Sequence, residues 1–377
     1  MDYDITPFDP SSEGPDLIAL WRETLHTTDS GKAHLLDRRL DWLYRGQQPT
    51  TTHVARRAAE PLSGAERSAQ DVIARDTRGQ LVGCASLYPR QLWYGGQEHR
   101  VGTGCDFAVT RAHRGLGPAL ALQRSVTTSS MADGLHLLLV RPDQASAGLF
   151  RHVGYREIGV SERWVKVLRP QRYAEDINNS PLVVAMSQLA SRGLHMVDLA
   201  LKIPLLRESR RVRIEILDRV DPRFDVLWTE ARANYPLTEV RSAAYLTWRY
   251  VDVVGQSHRF CCVVDRQTDR LLGYVVFVVD GDTACVSDLF AVDRGRTMDL
   301  LLAEFVTAMH REGLSAISIV FMQNELMRSR LKRLFFLKRE QLRPILAYHH
   351  PDAPEHLRQG VMGNAHDWLL FDGGMDI

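Results

Sequence analysis

The residues best suited to chemistry lie in the string CDFAVTRAHRGLGPALALQRSV, from Cys105 to Val126, which reads as a strand, a tight basic loop and a helix. Within it, Arg114-Gly115-Leu116-Gly117-Pro118-Ala119 fits the pattern R-x-x-G-x-A. Small residues at this spacing let a phosphate approach the backbone, and the start of a helix offers N–H groups with no intrahelical partner. Those donors, the positive end of the helix dipole and the permanent charge of Arg114 together make an anion site. Pro118 in the first turn costs no hydrogen bond, because its missing donor would be unpaired there anyway. A purely structural strand-to-helix turn would also account for Gly115 and Gly117. The basic residue, the spacing, the preceding strand and the following helix agree on the anion site instead.

On Val109 and on Arg114 to Ala119 the segment resembles the Gcn5-related N-acetyltransferase (GNAT) superfamily, whose pyrophosphate loop reads Q/R-x-x-G-x-G/A after a strand ending in valine. The resemblance implies acetyl-coenzyme A, or another acyl-coenzyme A, as cosubstrate. Its pantetheine arm would pair with the strand edge at Phe107 and Val109, and its pyrophosphate would sit on Arg114, Gly115, Leu116, Gly117, Pro118 and Ala119. Leu149-Phe150-Arg151-His152-Val153-Gly154-Tyr155 is similar to the family's L-y-x-x-x-G-F segment near the end of the coenzyme A path. Two positions depart from the family: Phe150 stands where many members have a tyrosine general acid, and Asp143 where they have asparagine.

Acyl transfer to an amine needs that amine deprotonated, which a carboxylate can do directly or through water. Asp106 is the candidate base, three residues before Val109 on the strand where family members often carry an acid. Burial against Phe107 would raise its pKa toward a useful value. The competing reading is a strand-end aspartate in solvent, or one paired with Arg111 or His113. Glu98 and His99 are reserves that also read as ordinary surface residues.

Positioning these groups requires the order β-α-α-β-β-β-α-β-α-β. Strand patterns fall at Tyr3 to Pro7, Asp71 to Arg75, Leu81 to Tyr88 and Gly102 to Val109. Helix patterns cover Asp16 to Leu25 and Lys32 to Arg45, and Thr50 to Arg67 reads as polar loop. After a mainly helical stretch the order begins again. Leu40-Asp41-Trp42-Leu43-Tyr44 has its counterpart in Leu246-Thr247-Trp248-Arg249-Tyr250, and Asp106-Phe107-Ala108-Val109 in Leu289-Phe290-Ala291-Val292. The expected architecture is α/β (α+β): two tandem GNAT-like domains, each a mixed, mostly antiparallel central sheet flanked by helices. The domains are residues 1–167, bearing the loop, and 212–377, a degenerate copy, joined by a helical linker over 168–211. After Val292 the second copy reads Asp293-Arg294-Gly295-Arg296-Thr297-Met298-Asp299, whose carboxylates oppose a pyrophosphate.

Composition supports two ordinary cores: 377 residues, 45% hydrophobic and 25% charged, exceed what one core usually organises. A formal net charge of +1 gives no field toward nucleic acid or anionic membrane. The five cysteines form no CxxC pair and read as buried thiols of a reducing compartment. MDYDITPFDP has neither the basic nor the apolar region of a signal peptide, and Leu182 to Leu206 carries too many charges to span a membrane. These features predict a cytoplasmic protein. No HExxH, Walker or G-x-S-x-G pattern supports a metal, a nucleotide-hydrolysing site or a serine hydrolase.

Over most of the chain the layout also resembles the double-GNAT acyltransferases of bacterial exopolysaccharide clusters, through the W-x-Y helix, the RGLG loop and Val140-Arg141-Pro142-Asp143. That resemblance implies a small-molecule amine as acceptor, such as an amino sugar or cell-envelope precursor. The sequence leaves open two alternatives, a non-catalytic coenzyme A-binding scaffold and a peptidoglycan-bridge-type aminoacyl transferase, and it does not fix the oligomeric state.

Overall fold

The computed structural model describes residues 3–24, 33–45, 50–57, 79–115, 117–170, 181–363 and 367–375. Its chain divides into two compact units, and each draws on both halves of the sequence.

The first unit comprises Met1–Arg90, Arg100–Arg156 and Leu346–Pro354. Its elements are β1 (Tyr3–Pro7), α1 (Gly14–Thr24), α2 (Ala33–Tyr44), β2 (Thr51–Arg57), β3 (Leu81–Tyr94), β4 (Gln97–Val109), α3 (Pro118–Ser129), β5 (Leu137–Val140) and α4 (Gln144–Val153). Neighbouring strands run antiparallel from β1 to β2 to β3, whereas β4 pairs with β5 in parallel. On its other side β5 pairs antiparallel with Leu346–His349, a segment of the sequence's second half. Apolar residues on the sheet, such as Val82, Leu87 and Leu138, pack with Leu122 and Val126 of α3 and Phe150 of α4.

One expectation needs correcting here. Thr50 to Arg67 reads as polar loop, yet Thr51–Arg57 is strand β2, held between β1 and β3. Its polar side chains are buried with partners: Arg56 pairs with Glu13 at 2.7 Å, and His53 Nδ1 lies 2.7 Å from Ser125 Oγ. A strand that buries polar groups in bonded pairs lacks the apolar alternation that reveals strands in sequence. The strand expected at Asp71 to Arg75 lies outside the described residues.

The second unit comprises Gln91–His99, Glu157–Ile345 and Glu355–Ile377. Its further strands are β6 (Arg156–Val167), β7 (Val212–Leu217), β8 (Leu237–Glu239), β9 (Arg259–Asp265), β10 (Leu271–Asp280), β11 (Thr283–Ala291), β12 (Ala316–Met322), β13 (Leu337–His349) and β14 (Trp368–Leu369). The ladder β7-β9-β10-β11 is antiparallel, β11 pairs with β12 in parallel, and β12 pairs antiparallel with β6. This repeats the first unit's order, including the single parallel step after the fourth strand. The helix Arg296–Glu312 is buried at every position from Leu300 to His310, with Leu301, Phe305 and Met309 in the unit's core. The helix Ala243–Leu246 widens into a π turn at Thr247–Val251, so the second W-x-Y segment is not regular α-helix.

Each unit therefore takes its sixth strand from the other half of the sequence: Leu346–His349 completes the first, and β6 from Glu157 onward completes the second. A linear cut at residue 167 does not follow the units. All five cysteines are free, and four of them are buried.

Candidate active site

Strand β4 runs on beyond the end of the short strand β5. Their parallel pairing runs Val101↔Leu137, Gly102↔Leu138 and Thr103↔Leu139, whereas β4 continues to Val109. Gly104 lies close against the last residue of β5, since a Cβ there would lie 2.5 Å from Val140 Cγ1. Beyond it, Phe107 to Val109 extend past the end of β5 and lie outside its ladder, while Thr110 N–H still bonds Val82 O on the β3 side at 2.9 Å. An extended chain bearing amides fits such an edge.

The loop that follows leads into α3. Gly115 and Gly117 have φ of +80° and +103°, the left-handed region that glycine enters without a Cβ penalty. At both, a Cβ would meet no atom of the described residues within 4 Å. Gly117 caps α3 with no side-chain hydrogen bond, and Pro118 occupies the first turn. The opening amides of a 12-residue helix thus have no side-chain cap, and its dipole lies behind them. Arg114 is exposed, and its Nε donates to Val109 O at 3.1 Å, fixing the guanidinium beside the end of β4. Ala119 and Phe107 pack on the core beneath. Phe107, Val109, Arg114, Gly115, Gly117, Pro118 and Ala119 thus run along the chain from the end of β4 into α3; Leu116 lies outside the described residues.

Asp106 is on β4 with φ of +48°, a conformation that aspartate and asparagine tolerate better than other non-glycine residues. Its side chain is 3% exposed. Arg39 Nη2 of α2 lies 2.7 Å from Oδ1, and Tyr44 donates to Oδ2 at 2.7 Å. Burial and then Asp106 push the Tyr44 hydroxyl well above the usual tyrosine range, so it stays a neutral donor. Burial works against the Arg39 charge, but Asp106 overcomes it and raises that guanidinium further. The expected partners Arg111 and His113 are elsewhere: His113 Nδ1 bonds Tyr3 OH at 3.0 Å. Arg39 was absent from the sequence reading. The available signal is its place on α2, three residues after Leu36 and four before Leu43, where a charge enters the buried face.

The remaining candidates fall into structural roles. Glu98 pairs with Arg232 at 3.3 Å, and His99 Nε2 lies 3.2 Å from Tyr94 O, both at the tip of the β3–β4 hairpin. Asp143 caps α4, its Oδ1 accepting from Ser146 N–H at 2.8 Å. Phe150 packs edge-on against Phe107 and Tyr155.

The second unit shows what becomes of the same turn with different residues. Asp293 Oδ1 accepts from Gly295 N–H at 2.7 Å and Thr297 N–H at 3.3 Å, so a carboxylate of the chain itself occupies the amides opening the helix Arg296–Glu312. Arg296 is drawn to Glu208 at 2.6 Å, and Arg330 to Asp299 at 2.6 Å. A buried acid–arginine pair recurs as well: Arg241 grips Asp288 of β11 with two bonds of 2.9 Å beneath the W-x-Y turn.

A strand that outruns its parallel neighbour beside a helix start with no side-chain cap leaves backbone groups suited to an extended, anionic ligand. Residues 37–155 match the acetyltransferase (GNAT) family. That match spans about a third of the chain, and it includes most of α2, β4, the turn into α3, and α4. No curated protein matches the sequence. Among solved structures, a GCN5-related N-acetyltransferase from Anabaena variabilis ATCC 29413 superposes with a TM-score of 0.59 at 14% identity, over 92% of this chain and 72% of that one. One from Kribbella flavida gives 0.56 at 14% identity, over 92% and 71%. A tandem GNAT protein from the clavulanic acid biosynthesis pathway gives 0.52 at 14% identity, over 92% of this chain and 98% of that one. These likenesses establish the tandem GNAT fold. Among the described residues no helix is long and apolar enough to cross a membrane.

Proposed function

We propose that the protein is an acetyl-coenzyme A-dependent N-acyltransferase whose donor binds the first unit and whose acceptor is a small-molecule amine, such as an amino sugar or cell-envelope precursor. The observation that carries this reading is the run of β4 beyond Thr103, past its ladder with β5, which leads to the glycine turn into α3. The thioester supplies an activated acyl carbon. The backbone of Phe107 to Val109 holds the pantetheine amides in register, and the N–H groups of Gly117 and Ala119 take the pyrophosphate charge, with the exposed Arg114 beside them. Backbone N–H groups of β4 beyond its ladder with β5 polarise the acyl carbonyl.

Asp106 acts on this edge as a positioning residue. A base must reach the proton it removes, and a carboxylate 3% exposed with both oxygens bonded does not reach a substrate nitrogen without displacing Arg39 or Tyr44. What the pair does is lock α2 to the strand whose backbone receives the donor. The recurrence of a buried Asp–Arg pair in a unit whose loop holds its own carboxylate supports that role over a proton transfer.

The test is calorimetric titration of acetyl-coenzyme A into wild type and into the double variant Arg114→Ala, Gly117→Glu. Micromolar affinity, about −8 kcal/mol, that disappears in the variant is the expected result. An absence of heat in wild type would refute the donor assignment.

A further inference from the structure

The second unit contains a cavity of about 770 Å³ that plays no part in the site above. Three arginines, Arg169, Arg192 and Arg311, line it together with His195 and His310, and no carboxylate does. The nearest acid, Asp198, is already matched: Oδ2 lies 2.8 Å from His310 Nε2 and Oδ1 2.8 Å from Lys166 Nζ. Arg169 donates to the His310 carbonyl at 3.0 Å, a contact that orients its guanidinium without neutralising it. Among the described residues none of the three arginines has an ion-pair partner.

His195 adds an independent sign. Its ring meets His310 edge-on at 4.6 Å, and its Nδ1 is buried with no hydrogen-bond partner. Burial, then His310, hold it below the usual histidine range; Asp198 pushes the other way, and Arg169 and Arg311 reinforce the lowering. Like charges gathered on one wall repel, and a buried ring nitrogen without a partner costs stability. A ligand carrying two or more negative charges relieves both. Planar guanidiniums favour the forked contacts that phosphate oxygens offer, and the volume falls within the ordinary range for small-molecule sites.

We propose that this cavity binds an organic phosphate or diphosphate, held by Arg169, Arg192 and Arg311 with His195 completing the shell. That chemistry has two sources. Free metabolites bearing phosphate are one, and lipid headgroups are the other, since Leu189 and Met196 stand 64% exposed on the helix (Pro181–Leu201) that carries Arg192 and His195.

The experiment uses the full chain carrying Arg114→Ala and Gly117→Glu, so that pyrophosphate bound at the α3 loop is not counted. Inorganic pyrophosphate and uridine diphosphate are titrated by calorimetry. Sedimentation with phosphatidic acid–phosphatidylcholine vesicles runs in parallel, against pure phosphatidylcholine. Arg192→Glu and Arg311→Glu change exposed side chains, so they leave the fold in place. Saturable binding of the soluble probes that weakens roughly tenfold or more in each variant establishes the site and a soluble ligand. Binding confined to the phosphatidic acid vesicles and lost in both variants establishes the site and a headgroup ligand. In either case the His195 ring proton resonance, assigned by His195→Gln, moves toward the protonated form on binding. No saturable binding to any probe, or equal affinity in wild type and both variants, overturns the proposal.

Discussion

Replacing Asp106 by asparagine separates a carboxylate that positions from one that takes a proton. Asparagine keeps the shape, tolerates the φ of +48°, and accepts from Arg39 through its one oxygen, while its NH2 group donates to the Tyr44 hydroxyl, which turns from donor to acceptor; the charge is lost. Breaking a buried pair by removing one partner costs about 3–5 kcal/mol. Here Arg39 is 25% exposed and regains some water, so Asp106→Ala belongs near ~3 kcal/mol, with ~1 kcal/mol more from placing alanine at positive φ. Asp106→Asn, which exchanges a charged bond for a neutral one, belongs near ~1–2 kcal/mol. Urea unfolding of wild type, both variants and Arg39→Met reads these values, and steady-state kinetics with acetyl-coenzyme A and pooled amines runs beside it. The positioning role predicts that Asp106→Asn and Arg39→Met lower stability together and raise the KM for donor, with the pH–rate profile keeping its wild-type shape. Loss of the general base would instead lower kcat by ~10²–10⁴-fold. An Asp106→Asn protein with wild-type stability, a kcat reduced on that scale and an altered pH limb would refute the positioning argument.

Two buried groups make stability rise with pH in adjacent windows. Burial, then Arg249, hold His258 down at about 4, so between that value and the ordinary 6.5 the unfolded chain binds the proton first. Stability therefore falls as pH drops through this range, and His258→Gln should flatten that part of a Tm-against-pH curve. Burial opposes ionisation of Glu162, but bonds from Arg328, Lys338 and Trp164 overcome it and hold the carboxyl at about 2. Its contribution is complete above the unfolded value near 4.5 and is lost as pH falls toward 2, so Glu162→Gln should unfold with a shallower acid limb. Asp293→Ala removes the acceptor for two amides at the start of the helix Arg296–Glu312 and should cost ~1 kcal/mol in urea unfolding. An unchanged midpoint would mean that water serves those amides equally well.

How far the sequence reached can be judged from particular residues. The glycine turn that leads into α3 was legible because it rests on local geometry. Glycines that permit positive φ, a proline in the first turn and a helix that exposes its amides are all neighbours in the chain. The repeat was legible for the same reason, since strand and helix periodicities are local patterns, and most elements fall where those patterns place them. Strand β2 was not legible, because its Arg56 and His53 are buried through bonds to Glu13 and Ser125, residues distant along the chain. Nor was the environment of Asp106: Arg39 lies 67 positions away, and no spacing rule links a helix residue to a strand residue at that distance. The exchange of sixth strands was equally hidden, because β6 and Leu346–His349 are ordinary strands by pattern, and only their hydrogen-bond partners reveal which unit each completes. Sequence alone therefore determined most of the fold's elements and the glycine turn into α3, both products of near-neighbour sterics and hydrogen bonding. The tertiary structure alone decided the partners of Asp106, the pairing of β4 with β5 and the membership of the units, because each depends on contacts between segments that the chain keeps far apart.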